Sequence, residues 1–322
     1  MKGSGLGRWT SRSRFCSVSL GLLLVVLLAL VLSHQYNTYL DANKVQQIRD
    51  TWPGFEQEKG NYSFTVVTGL FDIGRGSWWT QTRSYNEYLS HLFQILKLDV
   101  NLIIFIEPKG KDFVAWARQG REQRTKIIVQ EIKDLEYFPL LGRITEIMES
   151  EQFQNANENY KKGKCEAVFP LYNLVTNSKI TLVHQAISRN PFSSHYFIWL
   201  DGGYGHGNSS LFPKDGVWVP RHLLSHPDQV SFVALRNLAD KKTEEVHNLH
   251  KADIAWIAGG LFAGGTAAME AFYAAHRSVL QDYMMEGKID DDQTTFSDCY
   301  FRQPSNYRPV LGSWYDLLEP FT

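Results

Sequence analysis

Cysteine is scarce in this sequence: three occur in 322 residues, too few for a disulfide-stapled scaffold. Charge of one sign is not in excess either. Lys and Arg number 33 against 34 Asp and Glu, a formal net charge of −1, so no basic field argues for nucleic acid as a partner. There is no internal repeat and no low-complexity tract, which sets aside solenoids and disordered arrays. The phosphate-cradling P-loop motif is absent, and Gly74-Arg-Gly76 is no dinucleotide fingerprint because Trp79 stands in the third glycine's place. Neither a Gly-x-Ser-x-Gly elbow nor a His-Glu-x-x-His pair supports a lumenal hydrolase.

What is present suits a globular protein with a sizeable core, 43% hydrophobic and 21% charged. Nine tryptophans are compatible with stacking on sugars or bases, although aromatic residues are core residues by default. Phe15 to Leu32 carries no charge over 18 residues, and Lys2, Arg8, Arg12 and Arg14 precede it with no acidic residue among them. As a helix that run spans about 27 Å, close to the hydrocarbon thickness of ER-type membranes. The basic flank keeps the amino terminus cytosolic and sends the rest across. The expected layout is a cytosolic tail (1–14), a signal-anchor (15–33), a polar stem (34–63) and a folded domain (64–322) facing the ER or Golgi lumen, a single-pass type II protein. Cleavage near Val31-Leu-Ser33 as a signal peptide is the alternative. The sequons at Asn61 and Asn208 agree with a lumenal domain. With Cys16 at the membrane face, Cys165 and Cys299 either pair in the oxidising lumen or stay as two buried thiols.

Within the folded part, continuous apolar runs at Phe64 to Thr68, Asn101 to Ile106 and Tyr196 to Leu200 read as buried strands of a parallel sheet. Shorter strands are expected at Lys126 to Val129, Val230 to Leu235 and Ile254 to Ile257. A helix is predicted over Ser84 to Leu98, opened by the capping box Ser84-x-x-Glu87, with Tyr85, Tyr88, Leu89, Leu92 and Leu96 on one face. Glu149 to Lys164 reads as a helix running into a loop. Helical spacing returns at Leu182, Val183, Ala186 and Ile187, and Thr266 to Glu286 is a long helix. Strands alternating with helices make one α/β, Rossmann-like domain.

The most informative stretch is Tyr196-Phe-Ile-Trp-Leu-Asp201-Gly-Gly-Tyr-Gly205-His-Gly, an apolar strand that ends abruptly in an aspartate and a glycine-rich turn. Parallel sheets bind ligands beyond their strands' carboxyl ends, where Asp201 falls. Three further segments flank it: Thr65-Val-Val-Thr68-Gly-Leu-Phe-Asp72-Ile-Gly-Arg75-Gly; Ala258-Gly-Gly-Leu-Phe-Ala-Gly-Gly265, which leads into a helix; and Asp290-Asp-Asp-Gln293, which follows that helix. By itself the last of these can be a solvated acidic loop, the usual fate of a charge run.

In this order the four segments resemble GT-A nucleotide-sugar glycosyltransferases, and Val-Thr-Gly-Leu-Phe-Asp-Ile-Gly-Arg with Phe-Ile-Trp-Leu-Asp-Gly-Gly-Tyr resembles the HtrL/YibB family more closely, from about Phe64 to Leu318. The resemblance implies a GT-A-like fold, a nucleotide-sugar donor and a glycan or protein acceptor. It also implies a divalent cation, Mn²⁺ or Mg²⁺, at Asp201. Thr68, Asp72, Arg75, Gly202, Gly203, Gly259, Gly260 and Gln293 would surround the donor, and Asp291 or Asp292 would act in catalysis. The usual motif has an acid at both ends of its triplet, whereas here the third position is Gly203. His206 or the Asp290 cluster would then complete the metal site. Failing that, the domain is metal-independent, or a catalytically silent relative that binds a glycan or nucleotide.

Overall fold

The computed structural model describes residues 64–240, 248–251, 254–318 and 321. The amino-terminal apolar run, the stem, Cys16 and Asn61 lie outside the described residues. None of the described helices is long and apolar enough to cross a membrane.

Seven strands form one sheet in the order β3-β2-β1-β4-β6-β5-β7. They are β1 (Phe64–Leu70), β2 (Asn101–Ile106), β3 (Thr125–Val129), β4 (Tyr196–Leu200), β5 (Val230–Ala234), β6 (Ile257–Gly265) and β7 (Tyr307–Leu311). Only β6 runs against its neighbours; β1, β2, β3 and β4 pair in parallel, and β5 pairs in parallel with β7. The longer helices are α1 (Tyr85–Leu96), α2 (Lys111–Ala117), α3 (Leu141–Glu149), α4 (Pro170–Asn177), α5 (Lys179–Arg189), α6 (Thr266–Glu286) and α7 (Asp292–Arg302).

The central strands are apolar at every position because helices cover both faces of the sheet. Successive side chains point to opposite faces. Val67, Ile103, Phe105 and Phe197 therefore join the layer of α5, α6 and α7, with Leu182, Met269, Phe272 and Phe296. Val66, Ile104 and Ile198 join the layer of α1, with Leu92, Ile95 and Leu96. The start of α1 is fixed by Ser84, whose side chain accepts from the Glu87 N–H, the forward half of the expected box.

Two expectations are corrected, and one alternative is set aside. Glu149 to Lys164 is not one helix but two short ones, Glu151–Ala156 and Glu158–Lys161. The chain restarts at Asn157, whose side chain caps by accepting from the N–H groups of Asn159 and Tyr160. The strand placed at Ile254 to Ile257 begins only at Ile257 and runs through the glycine-rich segment itself, as β6. Its glycines are there because neighbours crowd the strand: a Cβ at Gly265 would fall 2.6 Å from the Pro227 carbonyl oxygen, and one at Gly259 would collide with the Asp292 carboxylate. The acidic run is likewise not a solvated loop. Asp290, Asp291 and Asp292 are buried, and Asp291 caps α7.

Candidate functional site

The chain lays down β1, β2 and β3 outward in one direction, then returns to place β4 on the other side of β1. That reversal opens a crevice beyond the carboxyl ends of β1 and β4, the place where open α/β sheets bind ligands. A cavity of about 380 Å³ lies there, with Gly69, Lys179, Asp201, Gly202, Gly259 and Asp292 in its lining. The two strand ends approach through backbone alone. A Cβ on Gly202 would fall 2.8 Å from the Gly69 carbonyl oxygen, so only glycine fits.

At the floor, three charged side chains from three elements meet. Asp201 follows β4, and its N–H donates to the Gly260 carbonyl at 2.9 Å. Lys179 opens α5 and Asp292 opens α7. Lys179 Nζ lies 2.6 Å from Asp292 Oδ2, 2.9 Å from Asp201 Oδ1 and 3.0 Å from Asp201 Oδ2, and it donates to the Gly259 carbonyl at 3.1 Å. Trp199 Nε1 donates to Asp201 Oδ1 at 2.7 Å. Burial alone would favour the neutral amine, but the carboxylates of Asp201 and Asp292 more than offset it and hold the Lys179 pKa above the usual lysine range.

The facing wall is basic and aromatic. Arg75 donates from Nη1 to Tyr88 Oη at 2.6 Å and from Nε to the Gln81 carbonyl at 2.8 Å. Its guanidinium lies 5.7 Å from the Trp78 ring centre and 6.0 Å from that of Tyr172. Arg83 stands 3.5 Å from Tyr88 Oη and 3.7 Å from Glu87. Both arginines line the cavity together with the Lys179–Asp201–Asp292 group.

A second, more polar cavity of about 550 Å³ holds Asp291, Lys164, Glu166 and Arg236, and it shares Tyr172, Gln293 and Trp314 with the first. Asp291 Oδ1 accepts from the Gln293 N–H at 3.1 Å. Burial raises the Asp291 carboxyl well above the usual carboxylate range, and the neighbouring Asp290 and Asp292 add to the rise. A carboxyl with raised proton affinity at a cavity wall is a candidate for proton transfer. Asp290 has a different job: it accepts from the Asp291 N–H and from Thr294 Oγ1, holding the turn in place.

The family model described as "Bacterial protein of unknown function (HtrL_YibB)" matches residues 62–322. The chain belongs to the HtrL/YibB family. Protein HtrL of Escherichia coli (strain K12) is 28% identical over 273 residues, covering 80% of this chain and 92% of that protein. Among solved structures, the apo crystal structure of mouse xyloside xylosyltransferase 1 aligns with a TM-score of 0.39 at 12% identity, over 77% of this chain and 84% of that one.

In this HtrL/YibB chain the expected site residues divide. Arg75, Asp201, Gly202, Gly203, His206, Gly259, Gly260, Asp292 and Gln293 all line the first cavity, and Asp291 lines the second. Asp72 lies outside both linings; it is ion-paired with Lys109 and accepts from the Gly74 N–H. Thr68 is also outside them, its hydroxyl buried next to Gly202 with no hydrogen-bond partner among the described residues. The pairing of Asp201 with His206 about a metal is not the arrangement found. Lys179 takes both Asp201 oxygens, and His206 packs against His91 and Tyr315 instead. No group of three or more metal-ligating side chains is assembled among the described residues. Cys165 and Cys299 do not pair, so the described residues hold no disulfide: both are free buried thiols, Cys165 donating to Gln81 Oε1 and Cys299 lying in α7. Asn208 is exposed, its Oδ1 accepting from Ser210.

Sequence reading missed Lys179, Arg83, Tyr88, Tyr172, Trp199 and Trp314. For Lys179 a signal existed. It stands three and four residues before Leu182 and Val183, on the stripe that faces the core, where a lysine needs a partner.

Proposed function

We propose that this chain is a glycosyltransferase of the GT-A type, moving a sugar from a nucleotide-sugar donor to a hydroxyl of a glycan or protein acceptor. One observation carries the reading: the crevice at the strand reversal gathers Arg75, Arg83, Lys179, Asp201 and Asp292 on one cavity, and that cavity shares a wall with a second polar one. A diphosphate leaving group needs cations and backbone-lined space, which the first cavity offers. The acceptor then enters beside Asp291. The acceptor oxygen bonds to the anomeric carbon, the bond from that carbon to the diphosphate oxygen breaks, and the hydroxyl proton passes to Asp291 as general base. In a retaining reaction the same carboxylate only orients the sugar. The apolar run Phe15 to Leu32 anchors the domain in this reading and delivers it to the lumen, where nucleotide sugars and nascent glycans meet.

A panel of nucleotide sugars with the full-length chain tests the proposal through thermal shift and release of free nucleoside diphosphate. At least one donor should raise the melting temperature and be consumed. No shift and no consumption with any donor would end it. Shift without consumption would favour the second reading, a binding protein of the same fold. That reading draws on Gly203, which leaves the acidic motif one carboxylate short, and on Asp201 being already neutralised by Lys179.

A further inference from the structure

A divalent cation that bridges a diphosphate needs several hard oxygen ligands, about six for Mg²⁺, in open positions around it. Here Lys179 occupies that region: its ammonium is the common partner of Asp201 and Asp292, with the Gly259 carbonyl as a further acceptor. Both oxygens of Asp201 are spoken for by Lys179, one of them also by Trp199, and Gly203 adds no ligand. The Lys179 and Asp292 side chains are 10% and 3% exposed, so the pair is built into the core rather than laid on the surface. The residues present do not fit a divalent ion while Lys179 is there.

We infer that Lys179 is the resident cation of this site, and that donor binding needs no divalent metal. Lys179 is shared by the carboxyl groups of Asp201 and Asp292, one ammonium between two, and occupies the space a divalent ion would need. The negative charge of the diphosphate falls to the opposite wall. Arg83, 3.5 Å from Tyr88 Oη, 5.3 Å from the Tyr88 ring centre and 3.7 Å from Glu87, has guanidinium N–H groups to turn toward it, and Arg75 also lines the cavity. The inference rests on the donor-site reading above and deepens it.

The arrangement makes a second, nucleotide-independent prediction. Removing the ammonium leaves two carboxylates and a carbonyl oxygen around an open space, the beginnings of a metal site. Lys179→Ala should therefore gain a thermal shift with Mn²⁺ alone that the wild type lacks.

The decisive experiment is calorimetric titration of UDP and GDP into the full-length chain, once in EDTA and once in excess Mn²⁺. The expected result is binding of at least one nucleotide with the same affinity in both, and loss of about tenfold or more in Arg83→Gln that Mn²⁺ does not restore. Arg83 lines the cavity with a side chain 23% exposed, so this variant tests the idea even if Lys179→Ala does not fold. Nucleotide binding that appears only with Mn²⁺ would overturn the inference while leaving the donor-site reading intact. Absence of binding by either nucleotide under both conditions would take down the donor-site reading and the inference with it.

Discussion

Lys179 Nζ and Asp292 Oδ2 are 2.6 Å apart, and the same ammonium reaches Asp201 at 2.9 Å, so one side chain ties the starts of α5 and α7 to the end of β4. α7 is remote in sequence from the consecutive α5 and β4, and the Lys179 and Asp292 side chains are brought together in a region that excludes most water. The bond between them is worth little as net stability, because desolvating both ions costs about as much as their attraction returns. Breaking it is another matter. Asp292→Asn keeps the shape but leaves the buried ammonium with one carboxylate, and roughly 3 kcal/mol of unfolding free energy should be lost. The double variant Lys179→Met with Asp292→Asn removes both charges and should recover part of that loss. Urea melts of the three proteins measure it; a double variant less stable than the single would show that the ion pair is not what the single variant disrupts.

Gly259 gives a steric version of the same test. In β6 it faces the Asp292 carboxylate so closely that no Cβ fits between them, and the neighbour is held by Lys179 rather than free to swing away. Gly259→Ala should cost about 1–3 kcal/mol through overpacking and should dislodge the ion pair. Gly142 in α3 has nothing within 4 Å of its would-be Cβ, so Gly142→Ala should be neutral or slightly stabilising. Thermal melts of the two alanine variants side by side would decide whether the cost is local to the Asp292 contact; equal effects would refute that.

How much of this was readable in advance depends on what each segment has to satisfy. The strands β1, β2 and β4 were legible because both faces are buried, which leaves apolar residues at every position. The helix α6 was legible end to end, its carboxyl terminus marked by Gly287 in a left-handed conformation at φ 67°. The strand β6 was not, because glycine is a poor strand former and its presence answers to Asp292, Leu317 and Pro227, which are remote in sequence. The edge strand β7 was missed for a related reason: Pro309 sits inside it, tolerated only at a sheet's edge. At the site, Asp201 and the acidic turn could be named from their places after a strand and a helix. Their partner Lys179 could not be assigned to them, since nothing local says which carboxylates a buried lysine will meet.

The proton-transfer role proposed for Asp291 separates from donor binding. Asp291 lines the second cavity, whereas Asp292 belongs to the first. Asp291→Asn should then lower kcat about 10²–10⁴-fold with a suitable donor and acceptor, and leave the nucleotide Kd nearly unchanged. Loss of nucleotide binding in parallel with turnover would move Asp291 from catalysis to donor binding or to folding. Retained turnover would return it to a helix cap.

The acidic turn is also supported from beneath, and that support is sensitive to pH. His276 is fully buried in α6; Tyr137 Oη lies 3.2 Å from its Nδ1, and Asn177 Oδ1 lies 3.1 Å from its Nε2. Asn177 in turn donates from Nδ2 to the Asp290 carbonyl at 2.9 Å. Its amide oxygen must therefore accept, so His276 donates from Nε2 and accepts from Tyr137 at Nδ1, a neutral ring. Burial lowers the His276 pKa to about 3. In the unfolded chain the same histidine titrates near 6.5, so on acidification the unfolded state takes up the proton first. Its contribution is thus intact above about pH 6.5 and is lost as pH falls from there toward 3, at roughly 1.4 kcal/mol per pH unit. Asp290 and Asp291 do not cause this loss. Burial raises their carboxyls, so the native state binds those protons first and gains on acidification. His250, lowered to about 4 by burial and then by Lys288 and Lys251, contributes in the same direction as His276 and must be cancelled by subtraction. The measurement is the difference in unfolding free energy between wild type and His276→Gln from pH 7.5 to 4.5. The gap should shrink or reverse as pH falls, because the glutamine takes up no proton in the unfolded state. A gap that stays constant across the range would mean that His276 does not titrate between the folded and unfolded states, and that the turn is held by some other means.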